Sequence, residues 1–202
     1  MSHATQVYRD RQTSVRVTLD LAERCDRWTG KLPYQLRWRN DFTPLASFHG
    51  YLTHFYSLVL LTRPLFLRHT QCQILGTSST TDDVQKIADG CVIASKDSIN
   101  LVDTAYQKSN LPRLNAMSTY CTFQAGLVIC TRRYCNPLLA TQEESWIEKC
   151  IQLLHYCGQA DAYAEKAAVI LTNFRDIDRF EMKTIFDATN DQEMSQIFPS
   201  VD

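Results

Sequence analysis

The closest groupings of metal-ligating and nucleophilic side chains in this 202-residue chain are Cys130 with Cys135, His49 with His54, and Cys150 with His155 and Cys157. Zinc takes Cys and His donors that converge on one ion. Positions five apart on a helix diverge by about 140°, so neither the Cys130–Cys135 nor the His49–His54 pair readily shares a metal. No Cys-x-x-Cys occurs. Cys150 and Cys157 share a helix face, but two turns separate them by about 10 Å, too far for one ion or for an unstrained disulfide. His155 is the nearest base for a nucleophilic thiol, and from Cys150 it points to another face. The expectation is no metal, catalytic or cofactor-binding residue in this chain. The thiols go to the core or surface, where free Cys behaves as a small hydrophobe.

Other chemistry fares no better. Asp82-Asp83 begins like the aspartate-rich segment with which helical terpenoid cyclases hold magnesium, but Lys86 stands where the next carboxylate belongs. The two acids suit the positive end of a helix dipole instead. No P-loop, paired-glycine dinucleotide turn or serine elbow is present, and the expectation is a protein that is not an enzyme. A net charge of −1 gives no general attraction to nucleic acid or to an anionic membrane, although residues 1–40 lean basic and 176–202 lean acidic. The opening residues are polar (Arg9, Asp10, Arg11), and Leu58-Val59-Leu60-Leu61 is far too short to span a bilayer. With no Asn-x-Ser/Thr acceptor, these features predict a reduced, intracellular protein with no membrane segment.

The elements that would position any site are helices. Six glycines are about half the usual share of roughly 7%, which favours long helices with few connections. The expected fold is all-α, an antiparallel multi-helix bundle or irregular helical array with about six main helices. The first runs from about Thr13 to Trp28 with Val17, Leu21, Cys25 and Trp28 on one face. Thr43-Pro44 starts the second as N-cap and first-turn proline, and Arg63-Pro64 should kink or end it. Residues 70–81 suggest a loop. Val84, Ile87, Ala88, Cys91, Ala94, Ser95, Ser98, Leu101, Val102 and Ala105 then repeat at steps of three and four, the clearest helical period in the chain. Asn110-Leu111-Pro112 ends that helix.

A fourth helix covers about Leu114 to Cys135, with Ala116, Tyr120, Phe123, Leu127, Cys130 and Tyr134 on one side and Asn136-Pro137 as its stop. Thr141 and Glu144 have capping-box spacing ahead of a helix carrying Trp146, Ile147, Cys150, Ile151 and Leu154. A sixth helix carries Ala160, Ala164, Ala167, Leu171 and Phe174. The expected division is a helical domain over 1–175 and an acidic-hydrophobic tail over 176–202, either an activation-like segment or a short docked helix. Phe48, Phe55, Ala94 and Phe123 could line a small-molecule pocket, but such residues are more often plain core, and ligand-binding residues stay unassigned.

The segment Leu45–Leu67, LASFHGYLTHFYSLVLLTRPLFL, resembles a characteristic helix of the fungal-specific transcription factor domain. In that family an aromatic-rich, His-containing helix runs into Leu-x-Arg-Pro and two apolar residues, matched here by Leu61, Arg63, Pro64, Leu65 and Phe66. The helices at Cys91–Val102, Asn115–Cys135, Trp146–Cys157 and Ala160–Phe174 follow in the family's order, and Trp28 followed by Leu32-Pro33 matches an upstream feature. Arg63 has its own structural reading, as a donor to carbonyls freed by Pro64. The resemblance implies a nuclear regulatory middle domain that controls transcription by RNA polymerase II. Its means would be intramolecular restraint, contact with the transcription machinery or co-regulators, or sensing of a small-molecule effector. It also implies homodimerisation, with DNA and zinc engaged only through an N-terminal six-cysteine cluster. Nothing before residue 40 contains that cluster, so the chain is expected to be a fragment, a truncated product or a stand-alone relative. A helical protein-interaction scaffold unrelated to transcription is the alternative.

Overall fold

A computed structural model describes residues 14–37, 45–76, 81–136 and 139–177. Among these residues the chain forms six α-helices, one short 3-10 turn at Tyr34–Leu36, and no strand. The all-α expectation holds.

Helix α1 (Val15–Gly30) lies along α2 (Leu45–Leu75) and touches α3 (Asp82–Gln107) only lightly. Its expected apolar face is half right. Leu21 and Cys25 are partly buried, but Val17 is 48% and Trp28 45% exposed, and Thr18 is the one fully buried residue. With essentially a single neighbour, α1 covers only the narrow strip Val15, Thr18, Leu21, Ala22, Cys25 and Thr29, so an apolar residue one position off that strip stays in water.

Helix α2 departs furthest from expectation. It neither ends at Pro64 nor gives way to a loop at residue 70, but continues to Leu75. Proline removes one backbone donor and costs a helix interior about 3 kcal/mol. Leu61, Thr62, Leu65 and Phe66 are all buried around it, which offsets that cost. The next turn is held because Thr70 is buried and its hydroxyl donates to the Phe66 carbonyl at 2.8 Å. Arg63 does not serve the freed carbonyls: its Nη1 donates to Gln124 Oε1 at 2.6 Å, tying α2 to the helix that carries Gln124. Gly76 then turns left-handed with φ of 66°, a conformation glycine adopts without a Cβ penalty. Thr43-Pro44 and most of the tail expected over 176–202 lie outside the described residues.

Along α3 the predicted stripe is buried from Val84 to Val102, with Ala105 partly covered. Ser95 enters the interior by bonding backward, its hydroxyl donating to the Cys91 carbonyl at 2.8 Å. The helix stops at Gln107, before Asn110-Leu111-Pro112, because Ser109 turns left-handed (φ 56°) and the Asn110 N–H closes on the Ala105 carbonyl at 2.9 Å.

Helix α4 (Ala116–Cys135) is capped by Asn115, whose side chain accepts from the Ser118 N–H at 3.1 Å. It packs against α2, α3, α5 (Ala140–Gly158) and α6 (Ala162–Asp176). Of its expected face, Cys130 and Tyr134 are buried, Phe123 and Leu127 are partly covered, and Ala116 and Tyr120 are exposed. The residues turned inward are mostly small: Ser118, Cys121, Thr122, Ala125 and Gly126. A Cβ at Gly126 would lie 2.6 Å from a Leu171 methyl and 3.5 Å from the Cys150 Cβ, so α5 and α6 both close on α4 there.

The capping box is not formed. Helix α5 begins at Ala140 with Leu139 at the cap position and no side-chain bond, and Thr141 already lies inside the helix. Glu144 instead pairs with Arg133 of α4 at 3.2 Å. The end of α6 is held to α4 twice, by the Tyr134 hydroxyl donating to the Phe174 carbonyl and by Arg133 Nη1 donating to the Arg175 carbonyl at 2.7 Å.

The left-handed serine yields a direct expectation. Ser109→Gly relieves the Cβ strain at the α3 terminus and raises stability by about 1 kcal/mol, roughly 3 °C in melting temperature. Differential scanning calorimetry of the two chains measures it.

Candidate functional site

Most of the residues that could do chemistry are core. Phe48 and Ala94 are buried in the main hydrophobic cluster, and Phe55 and Phe123 pack against it. None of the eight cysteines is in a disulfide. Burial pushes the thiols of Cys91 up to about 11 and of Cys121 and Cys130 up to about 12, and it raises Cys150 and Cys157 as well. A protonated, enclosed thiol is a poor nucleophile. His155 is half exposed and its Nδ1 faces Glu165 of α6 at 3.1 Å rather than Cys150. Among the described residues no three His, Cys, Asp or Glu side chains converge as a metal-holding group, and no helix is long and apolar enough to cross a membrane.

Two places combine polar chemistry with enclosed space. The first is a charge cluster between α3, α4 and α5. Glu143, in the first turn of α5, is only 1% exposed. Its Oε1 lies 2.9 Å from Lys96 Nζ of α3 and 3.4 Å from Arg132 Nε of α4, and Arg132 Nη1 reaches Asp89 of α3 at 3.1 Å. Beside it two ammonium groups lie over the Trp146 ring, Lys96 at 5.5 Å and Lys149 at 5.2 Å from its centroid, and Lys149 pairs with Asp103 at 2.9 Å. Sequence reasoning missed this cluster. The available signal was periodic: Glu143 lies four residues before Ile147 and so on the same stripe as Cys150, Ile151 and Leu154. A carboxylate on a core stripe needs a buried cation.

The second place is a groove of about 400 Å³ between α1 and α2. Trp28 forms one wall; its ring lies over Gly50 and stacks on His54, with centroids 6.1 Å apart and planes at 26°. Cys25 and His49 also line it, as do Thr53 and Ser57, whose hydroxyls donate to the His49 and Thr53 carbonyls at 2.8 Å each. With those hydroxyls occupied, the surface offered is mainly aromatic and apolar. His54 is itself buried, and that burial lowers its pKa, with Asp26, whose Oδ1 is 3.6 Å from Nε2, opposing the shift. The imidazole is therefore neutral near neutral pH.

Comparison of the chain with protein-family models, with curated proteins and with solved structures returns no match. The described residues define the class: an all-α array of six helices, with an aromatic groove between α1 and α2 and a charge cluster around the buried Glu143.

Each site has a stability signature. Lys96→Met leaves Glu143 buried with a single weaker partner and lowers stability by about 3 kcal/mol, whereas Lys96→Met with Glu143→Leu restores most of the loss. Urea unfolding of the single and double variants measures both, and equal losses would contradict the buried-pair reading. For His54 the folded-state pKa lies below the unfolded value of 6.5, so the unfolded chain binds the proton first on acidification. Stability from this group is full above 6.5 and is lost as pH falls through the window between the unfolded and folded values. Melting temperatures between about pH 8 and pH 5 should fall for the native chain and fall less for His54→Phe.

Proposed function

We propose that this chain is a regulatory domain of a fungal zinc-cluster-type transcription factor, controlling RNA polymerase II transcription in the nucleus. The observation that carries the reading is the Leu61-x-Arg63-Pro64-Leu65-Phe66 sequence embedded in a long helix. That helix is followed by four helices in the order the resemblance implies. The groove beside Trp28 supports it further. It lies against α1, the helix least extensively packed against the others, so that its occupant would bear on the least anchored part of the domain. A small apolar effector or a co-regulator is the chemistry that surface suits.

A second reading, a helical scaffold for other proteins, draws on exposed apolar residues away from the groove: Tyr163 at 51%, Val169 at 49% and Ile170 at 50% on α6.

The test places the chain between a heterologous DNA-binding domain and a strong activation domain in a yeast reporter strain. The regulatory reading predicts reporter output several-fold below that of a length-matched helical insert, partly relieved by Trp28→Ala. Output equal to the control, and unchanged by that substitution, would overturn it. Affinity capture confined to trafficking or assembly proteins would favour the scaffold.

A further inference from the structure

A separate cavity of about 250 Å³ opens beside the buried charge cluster, bounded by the late turns of α2, the start of α3 and the end of α4. By the share of liquid volume each water takes, roughly 30 Å³, that is room for about eight waters or one small metabolite. Its walls differ from those of the Trp28 groove. Arg132 and Asp89 bring opposite charges 3.1 Å apart, and the carboxamides of Gln73, Gln85 and Asn136 and the imidazole of His69 complete a polar lining.

The charges are arranged rather than merely present. Arg132 is positioned from behind by Glu143, which is 1% exposed and is itself neutralised by Lys96 at 2.9 Å. A guanidinium carries five N–H donors. One, on Nη1, is spent on Asp89, and the buried Nε faces Glu143 at 3.4 Å, which leaves the other terminal N–H groups. Arg132 thus retains donors for a carboxylate, in the planar arrangement that suits one. Asp89, with its side chain 51% exposed, keeps an acceptor face for an ammonium group. Burial lowers the His69 pKa, so the imidazole adds no positive charge near neutral pH. A simple anion would face Asp89, and a simple cation would face Arg132. A molecule carrying both charges meets a partner for each.

We propose that this cavity binds a small zwitterion, a free α-amino acid, with its carboxylate on Arg132, its ammonium on Asp89 and its side chain among the carboxamides. The bound molecule exchanges the single Arg132–Asp89 pair for two ion pairs. It joins α3 to α4 at the cavity mouth and stabilises the folded chain by binding it in preference to the unfolded one. The inference stands on this cavity alone and does not depend on the regulatory reading.

Isothermal titration of the full chain with L-glutamine tests it, its carboxamide matching the lining. Parallel titrations use glutaramic acid, which lacks the ammonium group, 4-aminobutanamide, which lacks the carboxylate, and glycerol as a neutral polyol. Saturable one-site binding of glutamine is expected, weakened about tenfold or more when either charged group is missing. Asp89→Asn, at an exposed position that leaves the Glu143 contacts intact, should weaken glutamine about tenfold while glutaramic acid, relieved of the Asp89 charge, binds no more weakly than before. Calorimetric melting of that variant establishes that it is folded. No saturable glutamine binding, glycerol binding equally well, or glutamine affinity untouched by Asp89→Asn would each overturn the proposal.

Discussion

Helix α4 packs against four other helices because the face it turns to them is thin. Gly126 and its neighbours Ala125, Thr122 and Cys121 carry almost no bulk, so Leu171 of α6 and Cys150 of α5 approach the α4 backbone directly. Close approach is what makes the large fully buried side chains (Ile129, Ile147, Leu154 and Leu171) continuous across the domain. The same thinness brings polar groups inward, since serine and threonine are among the residues small enough for such faces. Thr131 offsets the desolvation by donating to the Leu127 carbonyl at 2.7 Å, whereas the hydroxyls of Ser118 and Thr122 are buried without a hydrogen-bond partner among the described residues.

That close-packed centre also accounts for where charge is placed. Glu143 enters at the junction of α3, α4 and α5, and it is tolerated there because Lys96 and Arg132 arrive from two different helices. A pair of this kind gives little net stability over an apolar substitute but penalises any packing that parts its members. It links three helices through contacts that include the Arg132 side chain. Helix α1 and its surroundings are built differently. Helix α1 has one substantial neighbour, contributes one fully buried residue and leaves Trp28 substantially exposed beside an apolar groove.

Much of the architecture was legible in the sequence, for reasons that can be assigned. The α3 stripe was plain because apolar and small residues recur along the whole helix and face neighbours throughout. Helix α2 beyond Pro64 was not legible, because proline and the polar run after Arg68 favour a break locally. Its continuation depends on burial of Leu65, Phe66 and Thr70 by other helices, a tertiary effect. The capping-box pattern at Thr141 misled because Glu144 has a better partner in Arg133, on the preceding helix and outside anything a four-residue pattern can weigh. No site residue was assigned from sequence, and both enclosed places are made by residues far apart in the chain, Trp28 with His54 and Arg132 with Asp89. Only the position of Glu143 on an apolar stripe hinted at either.

Helix α4 is the fixed post of the domain and α1 its separable wall. Native-state hydrogen exchange measures this directly. Amides of α4 between Cys121 and Ile129 should exchange only through global unfolding, while those of α1 between Thr18 and Cys25 should exchange through a smaller opening of lower free energy. Protection of α1 equal to that of α4, or exchange in α4 ahead of α1, would contradict it.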